Sequence, residues 1–407
     1  MTDHLIIVGA GMATAYLLQE LASHPHRLNI TVIGDEPEVC YNRVMLSGVL
    51  SGESAENDLQ MLGEANLKQA VTFVTGTRVS SVDLQACEVH TDKGDRLHYD
   101  QLVFATGATV ARPALAATQA SGVEEMRTLA DARRLRYLSA SGGRALVVGG
   151  GLLGLEAAHG LNVLGFETTV LHRRAHLMNR QLDAEGGRLL RRKMEYSGIR
   201  FCLDTSVSAL TTANNRLAAV TLHSGEQLPC ELLVFATGID PDASLARAAG
   251  IATERGVLVD EYMRTSEQRC FALGECSQLG QRCFGLVAPI RAQAQVLARE
   301  LLGLLGTGFV MEDWPTQLKI AGIEIFSAGE PHAAGEELLL RDDAAGIYRR
   351  LVIRDGRLVG VVLVGDKREG TWYRELIHGA TDISQYRPGL MFGREVSEAL
   401  QLAAVAA

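Results

Sequence analysis

The sequence predicts an α/β protein. Three observations carry this reading. Short apolar runs alternate with helical patterns, a glycine-rich strand–turn–helix unit occurs twice, and a β-rich segment follows both copies. Such alternation implies parallel sheets with crossover helices packed on their faces.

The elements can be taken in order. HLIIVGA, from His4, reads as a buried strand, and Met12 to Ser23 as a helix. LNITVIGDE, from Leu28, reads as the next strand. RALVVGG, from Arg144, opens the second copy, followed by a helix over Leu152–Leu164 and a strand in ETTVLHRR. Each copy then runs through a more β-rich stretch to a second shared phrase. The phrase is YDQLVFATGATV from Tyr99 and CELLVFATGIDPD from Cys230. A unit recurring in this order predicts two Rossmann-like dinucleotide-binding domains in one chain. After Gly306 the pattern changes. LKIAGIEIFSAGE, then GIYRRLVIRDGRLVGVVLVGD with its RDGR hairpin signal, then a helix near Tyr373–Gly379 predict a C-terminal α+β domain. The expected division is 1–110 with 236–305 for the first domain, 111–235 for the second and 306–407 for the third.

Composition narrows the function. The 407 residues include 42 Gly and only 9 Pro, which suits tight turns in regular structure better than disorder. A formal net charge of −9 argues against nucleic-acid binding. No stretch is apolar enough for long enough to span a membrane, and the N-terminus lacks the basic segment of a signal peptide, so a cytoplasmic protein is expected. The seven cysteines are scattered, match no common ligand spacing and predict no metal site.

The glycines have separate duties. In a dinucleotide fold the first makes the tight turn and the second lets the backbone approach the pyrophosphate. The third lets the helix pack on the sheet, with the helix N-terminus facing the phosphates. Gly149, Gly151 and Gly154 fill all three positions, with Leu152 opening the helix. The first copy has Gly9, Gly11 and Met12 but Thr14 at the third position, which implies a slightly wider helix–sheet contact. Asp35 and Glu36 end the following strand, where a carboxylate can bind ribose hydroxyls; Asp35 is the favoured one. The second copy ends its strand in His172, Arg173 and Arg174, with no acid. Cations there suit a 2′-phosphate, unless the arginines are simply solvated.

Two such domains with two ATG segments resemble the flavoprotein reductases that hold FAD in the first domain and NAD(P)H in the second. CYNRVMLSG resembles that family's Tyr-x-Arg-x-x-Leu-Ser segment, which implies that Arg43 reaches the FAD pyrophosphate. CFALGECSQ resembles the segment, after Gly274, whose acid binds the ribityl chain; the acid here is Glu275 in place of the usual Asp. FGLVAPIRAQA resembles the start of the helix, at about Ala288 and Pro289, whose positive end faces the flavin O2 edge. The resemblance further implies cofactor contacts at Val79, at Ala105, Thr106 and Gly107, and at Gly238. HLMNRQLD, YMRTS, GECS, GLVAP and WYRELIHGATDIS together resemble the flavin module of the NAD(P)H-dependent nitrite reductase large subunit and the electron-transfer subunit of assimilatory nitrate reductase.

Departures from the family matter as much. The nitrite reductase subunit continues into an iron–sulfur segment and a sirohaem domain, which this sequence does not contain, so nitrite reduction by this chain alone is not expected. The paired cysteines of the disulfide reductases are missing; only Cys40 stands there. The Lys that ferredoxin-reductase relatives place after Leu-Ser is Gly48 here. The chemistry implied is hydride passage from NAD(P)H to FAD and electron delivery to a separate acceptor protein. Glu156, implied to lie near the flavin and the nicotinamide carboxamide, is the candidate catalytic side chain; the macrodipole alone would also favour an acid early in a helix. A rubredoxin or ferredoxin reductase is the close rival, and an NAD(P)H sensor the rival of another class. A monomer or homodimer is expected. The basic run RLLRRKMEYSGIR reads as a dock for an acidic partner or, more simply, as a solvated face. Thr316 to Lys319 are implied to cover the flavin's far side. Cys276, Trp372 and Tyr373 read as core residues.

Overall fold

The computed structural model describes residues 3–63, 71–111, 120–312, 314–320 and 322–406. The chain divides into two compact units. One comprises 1–49, 54–111 and 239–312; the other comprises 50–53, 112–238 and 313–407.

The first unit is built on five parallel strands in the order Cys270–Ala272, Gln101–Phe104, His4–Val8, Asn29–Ile33, Val71–Val74. Leu5, Ile6 and Ile7 at its centre are fully buried, each contributing roughly 2 kcal/mol of apolar burial. This explains why the strand reads as a continuous apolar run. Helix Met12–Ala22 crosses over and turns Ala15, Leu17, Leu18 and Leu21 inward. A three-stranded antiparallel meander, Val79–Asp83, Glu88–Thr91 and Arg96–His98, supplies the β-rich stretch of this copy.

The second unit repeats the plan. Its parallel strands run Arg200–Cys202, Glu167–Leu171, Arg144–Val148, Leu232–Phe235, Val123–Glu125. The crossover helix is Leu152–Val163 and the meander is Val207–Ala213, Arg216–Leu222, Gln227–Pro229. Residues 313–407 add a five-stranded antiparallel sheet and helix Gly370–His378. Asp355 and Gly356, both at positive φ, make the two-residue hairpin between its longest strands. Trp372, Tyr373 and Leu376 bury themselves against Phe326, Leu351 and Leu363, so the two aromatic residues are core, as their sequence setting suggests.

Candidate functional site

Both copies build the same turn from the same backbone bonds. The Gly9 N–H donates to the Ile33 carbonyl at 2.7 Å, and Gly149 N–H to Leu171 at 2.9 Å. The Ala105 N–H closes onto Val8 at 2.8 Å and that of Ala236 onto Val148 at 2.9 Å. The shared FATG phrase therefore has a structural role: its alanine backs the first glycine. A side chain at Gly9, φ +112, would bring its first carbon 2.6 Å from the Ala105 carbonyl carbon. One at Gly149, φ +136, would come within 2.8 Å of the Ala236 carbonyl carbon. Both contacts are tighter than a side-chain carbon tolerates, and both φ values are glycine's.

Beyond each turn the space is open. A side-chain carbon at Gly11 or Gly151 would have no neighbour within 4 Å among the described residues. Each of these glycines is the N-cap of its helix, without a side-chain cap and with no acid in the first turn. Each helix thus presents unpaired N–H groups and its positive end to an open cradle, the setting that suits a pyrophosphate. At the third position the copies differ. A side chain at Gly154 would press on the Gly149 carbonyl, its first carbon 2.9 Å from the carbonyl carbon. Thr14 is fully buried and its hydroxyl donates to the Gly9 carbonyl at 2.5 Å, so the turn there stands far enough off to admit it.

Around the first turn the structure gathers several of the expected residues. Glu36 accepts from the Tyr41 hydroxyl at 2.6 Å and from the Arg43 guanidinium. Burial works against the charge on Arg43, but Tyr41, Glu36 and Glu275 hold its pKa above the ordinary value. Arg43 and Glu275 are therefore neighbours. Gly274, at φ +83, lies so near the first helix that a side chain would meet the Ala13 methyl at 2.8 Å. Its N–H donates to the fully buried Gln293 amide oxygen at 2.9 Å. Neither Tyr41 nor Gln293 was singled out from sequence. Tyr41 lies inside the Tyr-x-Arg segment, whereas Gln293 had no local signal.

The structure adds detail to four expectations. Asp35, favoured as the ribose acid, is exposed and paired with Arg78 at 2.9 Å; Glu36 is the carboxylate held beside Arg43. Val79 sends its side chain into the core with Val8, Ile33 and Phe104, so the contact expected there falls to its backbone. His172, counted among the cations, turns back so that Nδ1 accepts the Gly150 N–H at 3.1 Å, leaving Arg173 and Arg174 as the exposed cations of that strand end. The basic run, read as a partner dock or more simply as a solvated face, forms exposed ion pairs. Arg188 pairs with Glu185 and Asp343, Arg191 with Glu195, and Arg192 with Asp343.

The remaining residues fall as follows. Thr106 donates to the Asp242 carbonyl at 2.5 Å, while Gly107 and Gly238 adopt φ +72 and +115. Glu156 is half-buried and sits one turn inside helix Leu152–Val163, past the end where the macrodipole acts most strongly. The later helix spans Val287–Leu301, so Ala288 and Pro289 are its second and third residues; its N-cap Leu286 makes no side-chain cap. Cys276 is fully buried, which raises its pKa, and burial pushes the Cys40 thiol up to about 12, so neither suits thiolate chemistry. Thr316 is half-buried, whereas the side chains of Gln317, Leu318 and Lys319 lie outside the described residues.

Comparison with known proteins identifies relatives of both parts of the chain. The profile of the pyridine nucleotide-disulphide oxidoreductases matches residues 3–296, and that of the rubredoxin NAD+ reductase C-terminal domain matches 315–381. The nitrite reductase [NAD(P)H] of Bacillus subtilis is 36% identical over 94% of this chain, which spans 48% of that relative. The chain thus covers about half the length of that relative. The ferredoxin reductase component of a Cupriavidus chlorobenzene dioxygenase is 30% identical, covering 95% of each chain. Among solved structures, the covalent putidaredoxin reductase–putidaredoxin complex superposes with a TM-score of 0.85 at 23% identity, over 100% of this chain and 99% of that one. With two glycine turns built alike and a family profile spanning most of its length, the chain belongs to the pyridine nucleotide-disulphide oxidoreductase family.

Proposed function

We propose that this chain is an FAD-dependent NAD(P)H:acceptor oxidoreductase that delivers electrons to a separate redox protein. FAD, when bound, supplies the conversion of a two-electron hydride donor into electrons deliverable singly. The chain's own residues bind and align. Gly9, Gly11 and Met12 leave the first helix end open for the flavin pyrophosphate, with Arg43 as its counter-charge. Glu36 takes the adenosine ribose and Glu275 the ribityl chain, and the uncapped start of helix Val287–Leu301 faces the ring's O2 edge. Gly149, Gly151 and Leu152 offer the second cradle to NAD(P)H, with Glu156 at the nicotinamide end. Arg173 and Arg174 favour NADPH through its 2′-phosphate.

The observation that carries this reading is the doubled turn. Each copy excludes a side chain at its first glycine and leaves open space over an uncapped helix. The likeness to the nitrite reductase supports an acceptor in nitrate or nitrite assimilation. The end-to-end match to a ferredoxin reductase component supports the second reading, in which the acceptor is a small ferredoxin or rubredoxin. Anaerobic titration of the yellow protein with NADH and NADPH, then stopped-flow reoxidation by each purified carrier, is the test. A flavin that neither nucleotide bleaches refutes the proposal. Reoxidation by ferredoxin at a rate no other carrier matches selects the second reading.

A further inference from the structure

We infer that His172 is a positioning residue for the second glycine turn: its neutral imidazole fills the space left by Gly150, accepts the Gly150 N–H and fixes that peptide for the coenzyme pyrophosphate, and protonation undoes the arrangement. This deepens the proposal above and rests on its assignment of NAD(P)H to the second turn.

The two copies supply the argument. Gly9 bonds Ile33 where Gly149 bonds Leu171, so Gly34 and His172 occupy equivalent positions, as do Ala10 and Gly150. Only one side chain fits between the members of each pair. A side chain at Gly34 would meet the Ala10 methyl at 2.6 Å. One at Gly150 would meet His172 Cγ at 2.6 Å and Cδ2 at 2.8 Å. The first copy places a methyl on the turn and leaves the strand end bare. The second does the reverse, and the side chain it admits can take up a proton.

Both polar groups of Gly150 are held by the segment that His172 opens. Its N–H donates to His172 Nδ1 at 3.1 Å, and its carbonyl accepts from the Met178 N–H at 2.8 Å. An accepting Nδ1 requires the proton on Nε2. Once the ring is protonated both nitrogens are donors, so Nδ1–H faces N–H and the bond is lost. Burial favours the neutral ring and holds its pKa below the usual histidine value, against the pull of Asn179. The His176 backbone also favours the proton through a hydrogen bond, whereas the charges of Arg173 and of the His176 ring oppose it. Cys202 and Asp204 lie on the adjoining segment and are joined to His172 and Arg174 by backbone bonds.

The test is coenzyme binding, measured by calorimetry on the full flavin-loaded chain between about pH 5 and pH 8, the range in which histidine titrates. Both oxidised coenzymes serve as probes. The wild type should bind roughly tenfold more weakly at the acid end, the loss expected when a buried N–H gives up its acceptor. His172→Asn, whose amide oxygen accepts but does not titrate, should show a smaller pH slope than the wild type with each coenzyme; the slope common to both proteins is the coenzyme's own titration. Gly150→Ala should weaken binding by at least about tenfold. Adding His172→Gly, which rebuilds the Ala10–Gly34 pair, relieves the clash but also removes the acceptor, so the double variant should bind about tenfold more weakly than the wild type and show only the shallow pH slope of His172→Asn. Equal pH slopes in the wild type and His172→Asn would overturn the inference, as would a double variant that keeps the wild-type pH slope. A wild type that binds neither coenzyme at any pH sinks the underlying assignment of the second turn instead.

Discussion

Gly149→Ala separates the two cradles. The added carbon would stand 2.8 Å from the Ala236 carbonyl carbon, with the carbonyl oxygen nearer still, at a residue with φ +136. Non-bonded carbons settle at about 3.5–4 Å, so turn and FATG strand must part by roughly 1 Å. Overpacking of this kind costs about 1–3 kcal/mol, and a φ reserved for glycine adds about 1–3 kcal/mol. A strain near 3 kcal/mol that falls on the bound shape of the turn weakens the coenzyme on the order of a hundredfold. The variant should remain yellow, because the equivalent constraint in the first copy is untouched. Its flavin should bleach only at far higher NAD(P)H, read as the coenzyme KM and as the midpoint of an anaerobic titration. Gly9→Ala, with the same strain against Ala105, should instead purify with little flavin. If Gly149→Ala lost flavin and Gly9→Ala kept it, the two nucleotides would be assigned to the wrong turns. If Gly149→Ala kept the wild-type KM, the steric reasoning itself would fail.

Three further outcomes are expected. Glu36→Ala should lower flavin retention several-fold while Asp35→Ala leaves it nearly unchanged, since Asp35 faces Arg78 and Glu36 faces Arg43; equal losses in a dialysis assay would return the ribose to either acid. Arg173→Glu combined with Arg174→Glu should cut kcat/KM for NADPH on the order of tenfold or more and leave NADH less affected; an unchanged ratio means that these arginines do not read the 2′-phosphate. Asp366, bonded by Arg368 and lying 3.6 Å from the buried Arg349, has its pKa held down at about 2 by these partners. A carboxyl whose folded pKa is depressed stabilises the fold above its unfolded value near 3.8 and loses that contribution as pH falls toward 2. Asp366→Asn should therefore unfold earlier than the wild type at neutral pH, by about 1–3 kcal/mol in a denaturant titration, with the gap narrowing as pH drops below about 4; a gap independent of pH would contradict the assignment.

The strands and the doubled plan were legible because apolar period and glycine spacing are local properties. His4–Val8 and Arg144–Val148 are buried on both faces and read as unbroken apolar runs. What was not legible depends on partners distant in sequence. Asp35 and Glu36 are chemically alike and adjacent; only Arg78, more than forty residues on, and Arg43 decide which way each points. The arginines of the helix Ala184–Tyr196 looked free because Asp343 is brought to them only by the fold. His172 looked like a cation because nothing local says that Gly150 has left room for its ring. The helix at Val287 was placed two residues late because Pro289, a familiar first residue, stands here at the third.

The repeat also acts as its own control. Two turns that share every backbone bond about the first glycine differ at the positions that face outward from the strand end. Where the first copy has Asp35 and Glu36, the second has Arg173 and Arg174. A ribose diol donates hydroxyl protons and suits an acid, whereas a phosphate carries negative charge and suits a guanidinium. Residues of opposite charge at equivalent places do not serve the same ligand group. If both cradles held a nucleotide with a bare ribose, selection on the second would favour an acid there too. The charge reversal therefore supports the proposal that the second cradle takes a nucleotide with a phosphate on its ribose, which the Arg173 and Arg174 substitutions test.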